Sequence, residues 1–494
     1  MVCFYIGNVG CFFARLVGLF TDDLVIFWKL CFEKHIIAPK IGHANVSYFI
    51  TIFELLRTIS KELRAMLEKL FKLKEHGTDV RTELLAGLTT FLTMAYIIFV
   101  NPTMLSNAGM DHGAVFVATC LAAMVGCFIM GFVANYPVAQ APGMGLNAFF
   151  TYTVVLGMGH TWQVALAAVF ISGLCFIVLS LLKVREWIIN AIPLALRTGI
   201  SAGIGLFLAF IALQSSGIVV DNPATLVHIG DLTSFPAAMA ALGFFLTIAL
   251  VHRGYKAAVL IAIIAVTALS VLFGEVSYNG IMSMPPSIAP TFLQLDFSGA
   301  MEVGLISIVF AFLFVDLFDT AGTLVGVATK ANLIDKDGKL PRLNRALLAD
   351  STATSIGALL GTSNTTSFVE SVSGVAVGGR TGLTAVTVGV LFLLALFFAP
   401  LAGMVPPYAT AGALFYVAIL MMSGLVSIDW RDLTEAAPVV VVCLLMPLTY
   451  SIAEGIGLGF ITYAAVKVMS GKGRDVNLSV WVISALFLAK IIFL

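Results

Sequence analysis

The stretch Ser307–Thr329, SIVFAFLFVDLFDTAGTLVGVAT, is long enough to cross a bilayer as a helix, yet its middle carries two carboxylates, Asp316 and Asp319. A carboxylate at the bilayer centre costs about 2.5–3.5 kcal/mol even on the more lenient insertion scales, so such a residue faces a cavity rather than lipid. Three residues apart, the two acids lie near one face of a helix. Gly322 and Gly326 follow, loosening the helix or admitting a close backbone approach. The plainer alternative is a pair of structural carboxylates bonded to neighbouring helices. It suits Asp316 better than Asp319.

The rest of the chain has the composition such a helix requires. Of 494 residues, 60% are hydrophobic and 11% charged, with mean hydropathy +1.03. A soluble chain carries about 25% charged residues, so this is an all-α polytopic membrane protein built as one large bundle. A net charge of zero gives no basis for nucleic-acid binding. The seven cysteines form no CxxC motif and no cluster with histidine. Cys120, Cys127, Cys175 and Cys443 lie in apolar spans as small core residues. No metal, cofactor or disulfide framework is expected. The absence of a His/Glu metal motif, an activated serine or a cofactor loop speaks against an enzyme.

From Leu84 the apolar segments recur regularly, at about 84–105, 113–134, 138–156, 162–182, 193–216, 236–252 and 257–274. A polar, Pro-containing stretch, Glu275–Ser298, separates them from a second set at about 302–328, 343–361, 364–378, 382–404, 409–427, 437–451 and 453–469. The expected fold is fourteen transmembrane segments in two repeats of seven, 66–298 and 299–477. The positive charges alternate with the count. Lys69, Lys72, Lys74 and Arg81 precede the first segment, and Lys183, Arg185 and Arg197 follow the fourth. Arg253 and Lys256 follow the sixth, and Lys330, Lys336, Lys339, Arg342 and Arg345 the eighth. Both flanks of the bundle are therefore expected to be cytoplasmic. An odd number of segments makes the repeats inverted, an arrangement typical of transporters. The apolar tail 478–494, with Lys490, lies along the membrane or re-enters it. Residues 1–65 mix short apolar runs with charges. Two readings stand: an N-terminal extension of uncertain role, or translation that begins near Met66 with the upstream stretch an artefact of gene prediction.

Two segments, Val138–Tyr152 (VAQAPGMGLNAFFTY) and Thr362–Gly379 (TSNTTSFVESVSGVAVGG), are too polar for lipid contact. Irregular backbone at membrane depth is tolerated only inside protein or beside water. Each is expected to form a short extended piece and then a half-helix whose free N–H groups point at a ligand. Pro142 and Gly143 would break the first; Ser363–Ser367 precede the second. Asn147, Phe149, Phe150, Glu370 and Ser371 would then lie near the ligand, with Phe150 more simply read as core packing. Glu370 has no Lys or Arg within its own span, which favours a ligand role over helix capping.

The segments LFDTAGTLVGVATKANL, APGMGLNAFF, SFVESVSGVAVGGRTGLTAVTVGVLFLL and VPPYATAGAL occur in an order and spacing similar to the adenine/guanine/hypoxanthine (AzgA-like) branch of nucleobase permeases. The resemblance runs from about Met66 to the C-terminus, and its wording is closest to bacterial adenine permeases. It implies a core domain (84–182 plus 302–404) and a gate domain (193–274 plus 409–469), with the base bound between them. By motif, it implies substrate contacts from Gly145, Asn147, Asp319 and Glu370, beside the Phe149 and Ser371 read from the chain itself. Asn147 would read the base edge, as an Asn amide can bond adenine twice. Proton coupling would fall to Asp319 and Glu370, with Asp316, which departs from the family pattern, either a second titratable group or a passive one. Gln140 is likewise atypical. The implied partners are a purine nucleobase, a proton and the cytoplasmic (inner) membrane lipid, with a homodimer suggested by the family alone. The expected activity is proton-coupled import of a purine, adenine first. The alternatives are a guanine/hypoxanthine:proton symporter and, of another class, an anion channel or exchanger. The last would need a cation at the site, where the core spans have carboxylates.

Overall fold

Where the chain is apolar over a long run it is helical, because in lipid every N–H and C=O must find its partner within the segment. The structure is a computed structural model that describes residues 61–62, 64–182, 192–298, 303–331, 333 and 341–493. Most of the expected extension 1–65 lies outside the described residues, as do Lys183, Arg185, Lys336 and Lys339. Helix α1 (Val80–Met94) runs almost without break into α2 (Ile97–Asn107). Helix α3 (His112–Ile129) ends in wider turns over Met130–Ala134. Side-chain caps start several helices: Asp79 accepts from Thr82 N at 3.0 Å for α1, and Asp111 from Ala114 N at 2.7 Å for α3. The Thr82 backbone bond, first among its causes, holds the Asp79 carboxyl below its ordinary range.

The two polar segments break as their sequences require. Strand β1 (Gln140–Pro142) leads into a short helix α4 (Met144–Ala148), which continues in wide turns to Gly157. Helices α5 (Trp162–Leu181) and α6 (Leu194–Ser215) follow, then an exposed hairpin of β2 (Val219–Asn222) and β3 (Leu226–Ile229). Next come α7 (Phe235–His252), α8 (Ala258–Leu272), α9 (Val303–Lys330) and α10 (Leu343–Leu360). Strand β4 (Thr365–Ser367) then precedes α11 (Ser371–Val377). The chain ends with α12 (Gly382–Ala395), α13 (Ala399–Gly403), α14 (Pro407–Met422), α15 (Leu433–Leu448), α16 (Ile452–Met469) and α17 (Leu478–Phe493). Among the described residues, eight helical stretches are long and apolar enough to cross a membrane.

Strands β1 and β4 pair antiparallel, Gln140 with Ser367, Ala141 with Thr366 and Pro142 with Thr365. Gly143 N donates to Asn364 O and Phe368 N to Ala139 O, both at 2.9 Å, extending the pairing. The buried strands thus satisfy each other's backbone, which lets non-helical chain exist in the bundle. Around them α5 packs on α10, α12 on α1 and α3, and α6 on α14 and α15. Small residues permit the closest approaches. A Cβ on Gly382 would overlap the backbone of Gly131, and Gly361, at φ +95°, ends α10 in a left-handed turn that glycine takes without strain.

A buried carboxylate outside the broken segments locks this packing. Glu83 on α1 accepts from Arg380 N (2.8 Å), Thr381 N (3.3 Å), Thr384 N (3.2 Å) and Thr384 Oγ1 (2.6 Å), so it caps α12 from another helix. Glu83→Ala would strand those buried donors at about 1–3 kcal/mol each. We expect its melting temperature in detergent to fall by several degrees, and an unchanged melting curve would refute the capping role. The C-terminal tail is also tied in. Phe487 packs on Phe310 and Phe314 of α9 (5.5 and 5.6 Å between centroids), and Lys490 pairs with Glu454 at 2.5 Å.

Candidate functional site

The strand pair brings the starts of α4 and α11 to one place. Beside them lies a cavity of about 360 Å³. One wall is built from Gly143–Gly145, Thr366–Glu370 and, from α9, Asp319 and Thr323. The opposite wall is the face of α6 from Leu194 to Leu208, with the last turns of α14. Its size and mainly apolar lining suit a small organic ligand held by a few fixed polar groups.

Asp319 and Glu370 line this same cavity. Asp319 Oδ2 accepts from Thr366 Oγ1 at 3.3 Å, across from Gly143. A Cβ at Gly143 would come within 2.7 Å of Thr366 Oγ1 and 3.3 Å of Asp319 Oδ2, so the absent side chain keeps the acid open to the cavity. Glu370 occupies the cap position of α11 but caps nothing; its Oε1 accepts instead from the Tyr96 hydroxyl, at the junction of α1 and α2. Among the described residues neither acid has an ion-pair partner. Gly145 also lines the cavity, where a Cβ would press within 2.8 Å of Ile204 Cγ2 on α6.

The structure does not bring the other expected site residues to the cavity wall. Asn147 is buried and outside the lining, its Oδ1 accepting from the Ser363 hydroxyl and its Nδ2 without a hydrogen-bond partner among the described residues. Phe149 is buried edge-on against Phe312, centroids 4.9 Å apart, and Phe150 is buried too. Ser371 Oγ accepts from Ala139 N at 3.0 Å, pinning β1 to the start of α11. Asp316 lies deeper, its Oδ1 3.4 Å from Thr320 Oγ1.

Three residues that the sequence reading passed over complete the arrangement. Tyr96 holds Glu370. Asp350, buried on α10, is a hub beneath the strands: it meets Thr320 Oγ1 at 2.9 and 3.0 Å, Gln140 Nε2 at 3.3 Å and Ser367 Oγ at 3.4 Å. The atypical Gln140 therefore braces β1 through Asp350. Like Asp316 and Asp319, Asp350 is a carboxylate inside a long helix, Leu343–Leu360, a signal present in the sequence. Arg197, grouped by sequence with the loop charges, is in the first turn of α6 and lines the cavity. Its Nε is buried without a hydrogen-bond partner among the described residues.

Aromatic side chains cluster around Tyr450. Tyr450 packs edge-on against Tyr152, Phe207 and Phe210, with centroids 5.8, 5.3 and 5.9 Å away. Its carbonyl accepts from Thr153 Oγ1 at 2.9 Å, and its hydroxyl donates to Gln214 at 2.6 Å. A helical bundle whose paired broken segments and one long helix line a single chamber suits transport, and the family comparison agrees: the sequence profile of the permease family matches residues 81–458. The chain belongs to the permease family. The adenine permease AdeP of Escherichia coli (strain K12) is 51% identical to this permease over 431 residues, covering 87% of this chain and 97% of that relative. The guanine/hypoxanthine permease PbuG of Bacillus subtilis (strain 168) is 48% identical over 436 residues, covering 86% and 99%. Among solved structures, the transmembrane domain of the cyanobacterial bicarbonate transporter BicA shares the fold of the permease at TM-score 0.57 and 17% identity, over 76% of this chain and 96% of that one. These sequence relatives are named as transporters, not enzymes.

Proposed function

We propose that the permease imports a purine nucleobase, adenine foremost, together with a proton by alternating access. The observation that carries this reading is the pair Asp319 and Glu370 on one wall of a mainly apolar cavity. A purine is flat and apolar on its faces and rimmed with donors and acceptors. Glu370, held by Tyr96, accepts N–H groups of the ring. Main-chain groups at Gly143–Gly145 approach its edge, and Asn147 and Ser371 hold that wall in place, with Asn147 Nδ2 unbonded among the described residues. Asp319, on the cavity wall and without an ion-pair partner among the described residues, takes a proton from outside and releases it inside. Asp316 belongs to the Asp350 network behind the wall and supports rather than carries the proton.

In this reading fourteen crossings form two inverted repeats of seven, with both flanks cytoplasmic in the inner membrane. The core (84–182 plus 302–404) moves against the gate (193–274 plus 409–469) around the site. The cavity wall runs to the first turn of α6 and the last turn of α14, next to positively charged connections. The anion-exchange reading gains Arg197 and the BicA-like fold, but the two carboxylates oppose it.

Uptake of radiolabelled adenine in cells lacking their own base carriers tests the proposal. Unlabelled adenine should compete better than hypoxanthine, and uracil should compete poorly. A protonophore should collapse accumulation. Stronger competition by hypoxanthine would move the substrate to the oxopurines, and accumulation that survives the protonophore would remove the proton.

A further inference from the structure

We propose that Arg197 is a ligand-binding residue whose guanidinium donates to the acceptor edge of the heterocycle that Asp319 and Glu370 hold by its donor edge. The inference rests on the purine reading and extends it by naming the second edge and the residue that meets it.

Arg197 is the only cation among the described residues lining the cavity. Its Nε is buried with no hydrogen-bond partner among the described residues. An unpaired buried donor is costly, and more so in a charged group, so the position calls for an acceptor that arrives from outside the fold. Among the described residues no acceptor on the walls lies within hydrogen-bond distance of this Nε, and the two acids bond elsewhere, Asp319 to Thr366 and Glu370 to Tyr96. On α6, Arg197, Ser201, Ile204 and Leu208 follow one another at helical spacing along the lining face. That face offers a donor fork, then a hydroxyl, then an apolar bed.

The two walls are therefore complementary in chemistry. Ionised carboxylates only accept, and a guanidinium only donates. A ligand that satisfies both must be flat and apolar on its faces, carry N–H groups on one edge and present an unprotonated ring nitrogen or carbonyl on the other. A purine does so, and the pairing sets its orientation: N–H groups toward α11, a ring acceptor toward α6. A small inorganic anion would satisfy Arg197 but would be repelled by ionised acids lining the same cavity.

The experiment is a titration of the purified full-length protein with adenine and with 1-deaza-, 3-deaza- and 7-deazaadenine, in each of which one ring acceptor becomes C–H. The wild type should bind one of the three about tenfold more weakly than adenine. Arg197→Ala should bind adenine about tenfold more weakly and should no longer discriminate against that analogue. Arg197→Lys, which keeps the charge without the planar fork, should fall between them. If the wild type binds all three analogues as tightly as adenine, the inference is overturned without any variant. Equal adenine affinity in Arg197→Ala overturns it too, as does weaker binding with the discrimination intact. A wild type that binds no purine would strike the functional reading itself. Bicarbonate binding that is lost in Arg197→Ala would assign the arginine to an anion instead.

Discussion

Asp319→Asn is expected to abolish uphill adenine uptake while leaving the protein folded. The substitution is nearly isosteric and keeps an oxygen that can accept from Thr366 Oγ1, so the contact between α9 and β4 survives. It removes the one property the mechanism needs, a proton that can be gained and lost. Each coupled proton contributes about 2.3 kcal/mol per 100 mV of inside-negative potential. That corresponds to roughly fifty-fold accumulation at about 100 mV. Without it the internal-to-external ratio should fall to about one, although exchange of labelled for unlabelled base persists. The check is steady-state accumulation in energised cells, beside counterflow in proteoliposomes. Wild-type accumulation by Asp319→Asn would remove this residue from the proton role and turn attention to Glu370.

The second large effect is expected at Glu370. Its carboxylate projects from the start of α11, is oriented by Tyr96 and has no capping duty to lose. Glu370→Gln exchanges a charged acceptor for a neutral one and presents an NH₂ where the base offers its own donors. A hydrogen bond to a charged group is worth about 1.5–3 kcal/mol, so affinity should fall roughly 10- to 100-fold. The strands and α11 are held by β1–β4 pairing and Ser371, neither of which involves this carboxylate, so expression and melting should change little.

Much of this arrangement was legible in the chain. The polar runs around Pro142 and Thr365 could not face lipid, and they form the paired strands that the cavity is built on. The acids Asp319 and Glu370 stood out because each is a charge inside an otherwise apolar or weakly polar span. Direction was harder to read than position. Asn147, Phe149 and Ser371 lie on the broken segments, yet they are not part of the cavity lining. Their contacts are with partners distant in sequence, such as Ser363 and Phe312. Tyr96 looked like any aromatic in an apolar run; its partner lies 274 residues away. Arg197 misled for another reason. A lone arginine at a helix start reads as a topological charge, and only the packing of α6 against α14 shows that it borders the cavity. Asp350, near the charged end of its helix, was masked in the same way by Arg342 and Arg345.

The central claim is that carboxylates from α9 and from the start of α11 share one water-reachable cavity that holds the base. Calorimetric titration of adenine into purified wild type and Glu370→Gln, run in parallel, tests it most directly. The account predicts saturable binding by the wild type and affinity weaker by about one to two orders of magnitude in the variant. Equal affinity in the two proteins, with both shown to be folded, would contradict it.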